Sequence, residues 1–280
     1  MKYLIIGNKG QLGKEFEKKL ILLNNDFLAV DIDELDISNN VQVKKYFNNY
    51  KPDIALNCSA YNFVDKAEEE PEAAFKTNIE GVRNLALASK EHNFFLVHYS
   101  SDYVFDGTKN ETYVESDSTN PINIYGESKL AGEKYIQEEL NDYLLFRLSW
   151  VFGEGQQNFI YKFRQWAEKN HTLKISVDEI SVPTYTKTIV DVTLQALEKK
   201  LTGLYHLTNS GYCSRYEWAK FIAKTLSLNN EIIPVSKDSF NLPAPRPAFS
   251  AMSNDKISQV LQISIPGWEE AVGEYLKESI

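Results

Sequence analysis

The chain has little of what marks several function classes. Two cysteines, Cys58 and Cys213, stand far apart and without metal-type spacing. With no export signal at the N-terminus, they read as reduced thiols of a cytoplasmic protein rather than as a disulfide. Basic residues are outnumbered, 30 Lys and Arg against 39 Asp and Glu, for a net charge of −9. That balance argues against a nucleic-acid face. Apolar runs such as YLIIG are far too short to span a bilayer. The 4 histidines show no ligand spacing, so no metal is expected. There is no repeat and no low-complexity tract. What remains is an ordinary globular composition, 43% hydrophobic and 25% charged, in 280 residues that can bury a sizeable core.

In the first half, short apolar runs alternate with helical patterns. KYLIIG, DFLAVD, PDIALNCSA, NFFLVHYSS and DYLLFRLSW read as strands buried on both faces. Between them, Val43, Tyr46, Phe47 and Tyr50 step by three and four, as do Val82, Leu85 and Ala86. Strand alternating with helix predicts a parallel sheet with right-handed crossovers. Past Trp150 the rhythm loosens. Helices are expected over 157–170, in TYTKTIVDVTLQALEKK, in SRYEWAKFIAKTLSL and from Gly267 onward, with strands at TLKISV and GLYHLT. NLPAPRPAFSAM is proline-rich and should be a fixed irregular loop. The expected fold is α/β: a Rossmann-type doubly wound parallel sheet with a smaller, interleaved C-terminal substrate-binding lobe. Residues 1–152, with 181–205 returning, form the dinucleotide-binding part; 153–180 and 206–280 form the lobe.

GNKGQLG places Gly7, Gly10 and Gly13 between a predicted strand and a predicted helix. Such a turn brings backbone close to a pyrophosphate at a helix N-terminus, with Gly10, Gln11 and Leu12 nearest. Asp31 closes the second strand, where a carboxylate accepts from adenosine ribose hydroxyls and disfavours a 2′-phosphate. Lys9 offsets that charge, so the cofactor is read as NADP(H) or NAD(H). Asp36 and Ile37 follow, either as adenine contacts or simply as the start of the next turn.

Tyr125 and Lys129 lie four positions apart in NIYGESKLAGEKYI, on one face of a predicted helix. An ammonium beside a phenol lowers its pKa, and a tuned phenol can protonate a carbonyl oxygen as hydride arrives at carbon. Ser101, at the end of the fourth strand in HYSSDYVFDG, supplies a hydroxyl to orient that oxygen. Arg246, on the proline-rich loop, suits a diphosphate, which accepts bidentate hydrogen bonds.

These blocks, with NCSAYNFVDKAEEEPEAAFKTN, FRLSWVFG and PAPRPAFS, run from residue 7 to about 250. In their order the chain resembles the extended short-chain dehydrogenase/reductase superfamily. Within it, the chain is similar to the dTDP-4-dehydrorhamnose reductase family. The resemblance implies NAD(P)H-dependent reduction of the 4-keto group of dTDP-4-dehydro-L-rhamnose to dTDP-L-rhamnose, for surface polysaccharide. It makes Tyr125 the acid/base, Lys129 the cofactor-binding residue that tunes it, and Ser101 the counterpart of a usual threonine. It sets Ala60, Tyr61 and Asn62 along the cofactor. Val64, Ser101, Asp102, Tyr125 and Trp150 fall at the sugar. Asn78 supports the lysine through water. Some members dimerise around a metal held by carboxylates, and Glu15 sits at a comparable place. The helix with Asp191 lacks a matching acid pair, so neither a catalytic metal nor a metal-bridged dimer is expected, and a plain homodimer is left open. Two other readings share these residues. One is another sugar-nucleotide 4-keto reductase or an epimerase. The other is a non-catalytic partner resembling the methionine adenosyltransferase regulatory subunit.

Overall fold

The computed structural model describes residues 1–278. The first half is a run of strand–helix units: β1 (Lys2–Ile6), α1 (Gln11–Leu22), β2 (Asp26–Val30), α2 (Asn40–Asn49) and β3 (Ile54–Asn57). There follow α3 (Val64–Glu69), α4 (Pro71–Phe75), a π-helical segment Lys76–Gly81, α5 (Val82–His92), β4 (Phe95–Ser101), α6 (Ile124–Glu139) and β5 (Tyr143–Leu148). Among the described residues six strands form one sheet in the order β10-β5-β4-β3-β1-β2, where β10 is Gly203–His206. Every pairing in it is parallel.

Successive strand residues point to opposite faces, and here both faces are covered. Tyr3, Ile5, Leu56, Val97 and Phe146 pack on one side with Phe16 and Leu20 of α1. Leu4, Ile6, Ala55, Leu96 and Leu145 pack on the other with Phe47 of α2 and Leu85 of α5. That explains why these strands read as continuous apolar runs.

The second half contributes β6 (Val151–Phe152), α7 (Phe159–Lys169), β7 (Thr172–Ser176), β8 (Ile180–Ser181), β9 (Thr184–Tyr185) and α8 (Thr186–Glu198). After β10 come β11 (Cys213–Ser214), α9 (Arg215–Thr225), β12 (Glu231–Val235), α10 (Asp255–Leu261) and α11 (Trp268–Glu278). Phe152, Phe163, Leu173, Trp218, Ile222 and Val272 form a separate core here. Helix α8 returns to the sheet: Ile189, Val190 and Ala196 join the first cluster. So do Ile257, Leu261 and Ile265, although the sequence reading set 255–265 with the second lobe. Their apolar face covers the sheet flank beside Tyr205 and Leu207.

The short strands β6, β8, β9, β11 and β12 were not expected. β12 contains Pro234 and pairs with β7 in a two-stranded sheet, an edge position that a residue without an N–H tolerates. No helix among the described residues is long and apolar enough to cross a membrane.

Helix α6 crosses the π-helical segment at close range. A Cβ on Gly132 would lie 2.4 Å from the Asn78 carbonyl oxygen. Gly132→Ala must therefore push the two backbones apart, at a cost of about 1–3 kcal/mol. The expected result is a lower urea midpoint with an unchanged slope; an unchanged midpoint refutes the close packing.

Candidate active site

The site lies at the carboxyl ends of the parallel strands, where an open α/β sheet binds ligands. The chain leaves β1 through Gly7, whose φ of +87° suits glycine, and a Cβ there would lie 2.8 Å from the Ser59 nitrogen. Gly13 lets α1 approach, since its Cβ would fall 2.4 Å from the Gly7 carbonyl oxygen. Gly10 is the N-cap of α1, and among the described residues this helix start has no side-chain cap and no acid in its first turn. Its first N–H groups therefore face the cleft with the positive end of the helix dipole behind them. A dinucleotide pyrophosphate fits such a terminus.

Helix α6 supplies the central groups. Asn123 caps it by accepting from the Gly126 nitrogen at 2.8 Å, and its amide donates to the Pro245 carbonyl at 2.9 Å. Tyr125, Lys129 and Glu133 follow at helical spacing, and all three are buried. The Tyr125 hydroxyl donates to Asn62 Oδ1 at 3.3 Å. The Lys129 ammonium donates to the Tyr99 carbonyl at 2.7 Å. Glu133 takes a bidentate contact from Arg147 of β5, Nε to Oε1 at 3.0 Å and Nη2 to Oε2 at 2.7 Å. Beyond Arg147 lies His206, kept neutral by burial and by that guanidinium, with its pKa down to about 3.

Burial dominates the electrostatics of the phenol and pushes Tyr125 up to about 12. The Ser101 hydroxyl opposes that rise, while the Asp102 charge adds to it. Burial also lowers Lys129 to about 8, partly offset by Glu133. The low-dielectric cleft thus favours the neutral form of both groups.

Ser101 accepts from the Tyr103 nitrogen and donates to Asp102, each at 3.2 Å. Asp102 is buried and accepts from Ser181 at 2.8 Å and Ser250 at 2.6 Å, tying the end of β4 to the second half of the chain. Trp150 has φ of +39°, rare for a bulky residue, and its indole stacks on Trp218 with centroids 5.6 Å apart.

Two adjoining cavities meet at Trp150, Val151, Gln157 and Lys162. The first, about 450 Å³, brings together Gly10, Gln11, Leu12, Ala60, Asn62, Ser101, Asp102, Tyr125, Lys129 and Trp150. The second, about 670 Å³, includes Arg246, Arg215, Trp166 and Phe159. Gly7 and Gly13 lie beneath the first cavity as packing glycines. Val64 and Tyr61 pack around Tyr125. Asp31 accepts from the Lys9 nitrogen at 2.9 Å and so fixes the glycine turn. The Lys9 ammonium pairs with Asp33 rather than with Asp31.

Asp36 accepts from the Ser38 nitrogen at 2.9 Å and the Ser38 hydroxyl at 2.6 Å, a local turn. Ile37 is buried in the core, with its side chain against Gly81. Asn78 binds the Tyr61 backbone on both sides and Ser128 at 2.9 Å, so its direct bonds hold the loop after β3. Arg246 is already engaged, by Asp65 at 2.8 Å and by the Ala244 carbonyl at 2.8 Å. Sequence reasoning missed Lys162, Glu179 and Arg215, each in a segment without a motif. A cation at the start of α9 was the available signal for Arg215. Among the described residues no group of three or more His, Cys, Asp or Glu could hold a metal ion. Glu15 instead lines a surface cavity with Lys18, Lys187 and Glu278.

Comparison with known proteins adds the following. The family model described as the RmlD substrate binding domain matches residues 1–280. A dTDP-4-dehydrorhamnose reductase of Burkholderia thailandensis is 36% identical, over 98% of this chain and 97% of that protein. The crystal structure of a dTDP-4-dehydrorhamnose reductase from Clostridium acetobutylicum superposes with a TM-score of 0.97 at 34% identity, covering 100% of this chain and 99% of the other. That of Bacillus anthracis, in complex with NADP, gives 0.95 at 34% identity, covering 99% of each.

The buried ammonium has a measurable signature. Between about pH 8 and the ordinary lysine value of 10.5, the unfolded chain binds a proton that the folded one does not, so stability rises with pH there. Below pH 8 the folded protein carries the full cost, on the order of 3 kcal/mol. Lys129→Met should therefore be more stable than wild type at pH 7, and the advantage should shrink toward pH 10.5. Urea unfolding at the two pH values checks this; a constant difference refutes it.

Proposed function

This chain belongs to the dTDP-4-dehydrorhamnose reductase family, the one described by the RmlD substrate binding domain, and from that premise we propose its reaction. The protein reduces the 4-keto group of dTDP-4-dehydro-L-rhamnose to give dTDP-L-rhamnose, at the expense of NADPH or NADH, in deoxysugar synthesis for polysaccharide. The observation that carries this reading is a buried phenol at the strand ends that shares one cavity with a buried lysine and an uncapped glycine-turn helix.

The residues fit a dinucleotide. Gly10, Gln11 and Leu12 take the pyrophosphate, Asp31 the adenosine ribose, and Ala60 and Asn62 the opposite wall. Tyr61 stands just behind that wall. Bound there, the reduced nicotinamide supplies hydride. Lys129 holds the nicotinamide ribose from the base of the cleft. Tyr125 gives its proton to the sugar's C4 oxygen and regains it from water. Ser101 and Asn62 orient the phenol and the carbonyl. Asp102, Val64 and Trp150 border the hexose. The whole site comes from a single chain, so it is complete in a monomer and in a homodimer alike. We place the enzyme in the cytoplasm, with nicotinamide nucleotides and sugar nucleotides at hand.

Mixing purified protein with NADPH or NADH and dTDP-4-dehydro-L-rhamnose should consume the reduced-nicotinamide absorbance and release the cofactor oxidised. Transfer of hydride with no net consumption would mean an epimerase. Tyr125→Phe should lower kcat by a factor on the order of 10²–10⁴ while leaving NADPH affinity near normal. Lys129→Ala should weaken both. Unimpaired turnover in Tyr125→Phe overturns the mechanism.

A further inference from the structure

The second cavity is lined by four cations, Lys162, Lys174, Arg215 and Arg246, against two carboxylates, Asp65 and Glu179. Its surplus of two positive charges matches a diphosphate diester. The four cations are not equally free. Arg246 donates from one terminal nitrogen to Asp65, which offsets its charge, and from the other to the Ala244 carbonyl. Its contacts close the proline-rich loop onto α3, where Ala244 nitrogen also meets Asp65 at 3.3 Å. Arg215 differs. Among the described residues its guanidinium makes no hydrogen bond and no ion pair, yet it is only partly exposed. Its guanidinium carbon lies over Trp150, 3.6 Å from the ring centroid, with Phe159 at 5.2 Å and Trp218 at 5.5 Å.

Stacking of this kind fixes the guanidinium plane while leaving its N–H edge open. A planar fork held in place is the geometry that binds phosphate through two parallel hydrogen bonds. Trp150 also lines the cavity of Tyr125 and Lys129, so a group on Arg215 sits one indole away from the phenol. Lys162, likewise without an ion pair among the described residues, lines both cavities and stands at their junction. Farther out, Trp166, Phe240 and Leu242 are 41%, 40% and 44% exposed, an apolar rim of the same cavity suited to the flat face of a base.

We infer that Arg215, laid on Trp150, is the clamp for the diphosphate of the sugar nucleotide, with Lys162 as its second cation, and that Arg246 serves instead to lock the proline-rich loop. The inference rests on the sugar-nucleotide reading of this site. It assigns to Arg215 the part expected of Arg246 from its place in the proline-rich loop.

The test compares dTDP with thymidine, which lacks both phosphates, by calorimetry on wild type, Arg215→Gln and Arg246→Gln. Retained NADPH binding reports that each variant is folded. Arg215→Gln should weaken dTDP about ten- to a hundredfold, the loss of charge-assisted hydrogen bonds, and leave thymidine unchanged. Arg215→Lys should recover part of the loss. Arg246→Gln should move the two probes together. An equal loss of both probes in Arg215→Gln would mean a structural stack only and would overturn the proposal, as would no loss at all. If Arg215→Gln loses dTDP selectively while wild type turns over no 4-keto sugar nucleotide, the clamp stands and the reductase reading falls. If wild type turns the substrate over and Arg215→Gln keeps its KM, the clamp falls and the reductase reading stands.

Discussion

An ammonium held out of water on the inner face of α6 is the constraint around which the cleft is arranged. Burial of Lys129 is tolerable because the Tyr99 carbonyl accepts a hydrogen bond from it and Glu133 lies a turn away. Glu133 in turn needs Arg147, since an unpaired buried carboxylate costs several kcal/mol. The chain of opposite charges ties the helix to β5 through the core. It also explains the bareness of the helix surface: Gly126 and Gly132 admit the Tyr103 and Asn78 carbonyl oxygens at distances no side chain would allow.

Besides the apolar packing of α8 and α10 on the sheet, polar contacts join the strands and loop of the second half to this platform. Asp102 collects hydroxyls from Ser181 and Ser250, Asn123 reaches the Pro245 carbonyl, and Asp65 binds Arg246. Each bond has one partner at the end of a sheet element or at the start of α3 or α6, and the other in the strands and loop of the second half. The effect is to set the cationic cavity beside the cavity of the phenol, so that one elongated ligand can occupy both.

Much of the sheet was legible in the sequence because its central strands are covered on both faces and so must be apolar throughout; the edge strand β2 is partly exposed. The glycine turn and the Tyr–Lys spacing were legible for a related reason: their function depends on neighbours in sequence. The family followed from the order of these blocks. What escaped was set by distant partners. Asn62 meets Tyr125 across 63 positions, and nothing local to either announces it. The hollow at Gly81 that seats the Ile37 side chain is likewise set by a distant partner. The spacing of Tyr125 and Lys129 says nothing about how deeply both are buried, and burial dominates the phenol here. Strand β12 was hidden by Pro234, which looks like a breaker until its edge position is known.

Trp150 sits in a left-handed backbone conformation that costs a bulky residue on the order of 1–3 kcal/mol. Glycine would relieve that torsion at once and would also erase the surface on which Arg215 rests. Comfort of the main chain and usefulness of the ring are therefore opposed at a single position. The larger indole carries the torsional penalty, and the packing of Trp218 and the β6–β9 pairing around it bear the load.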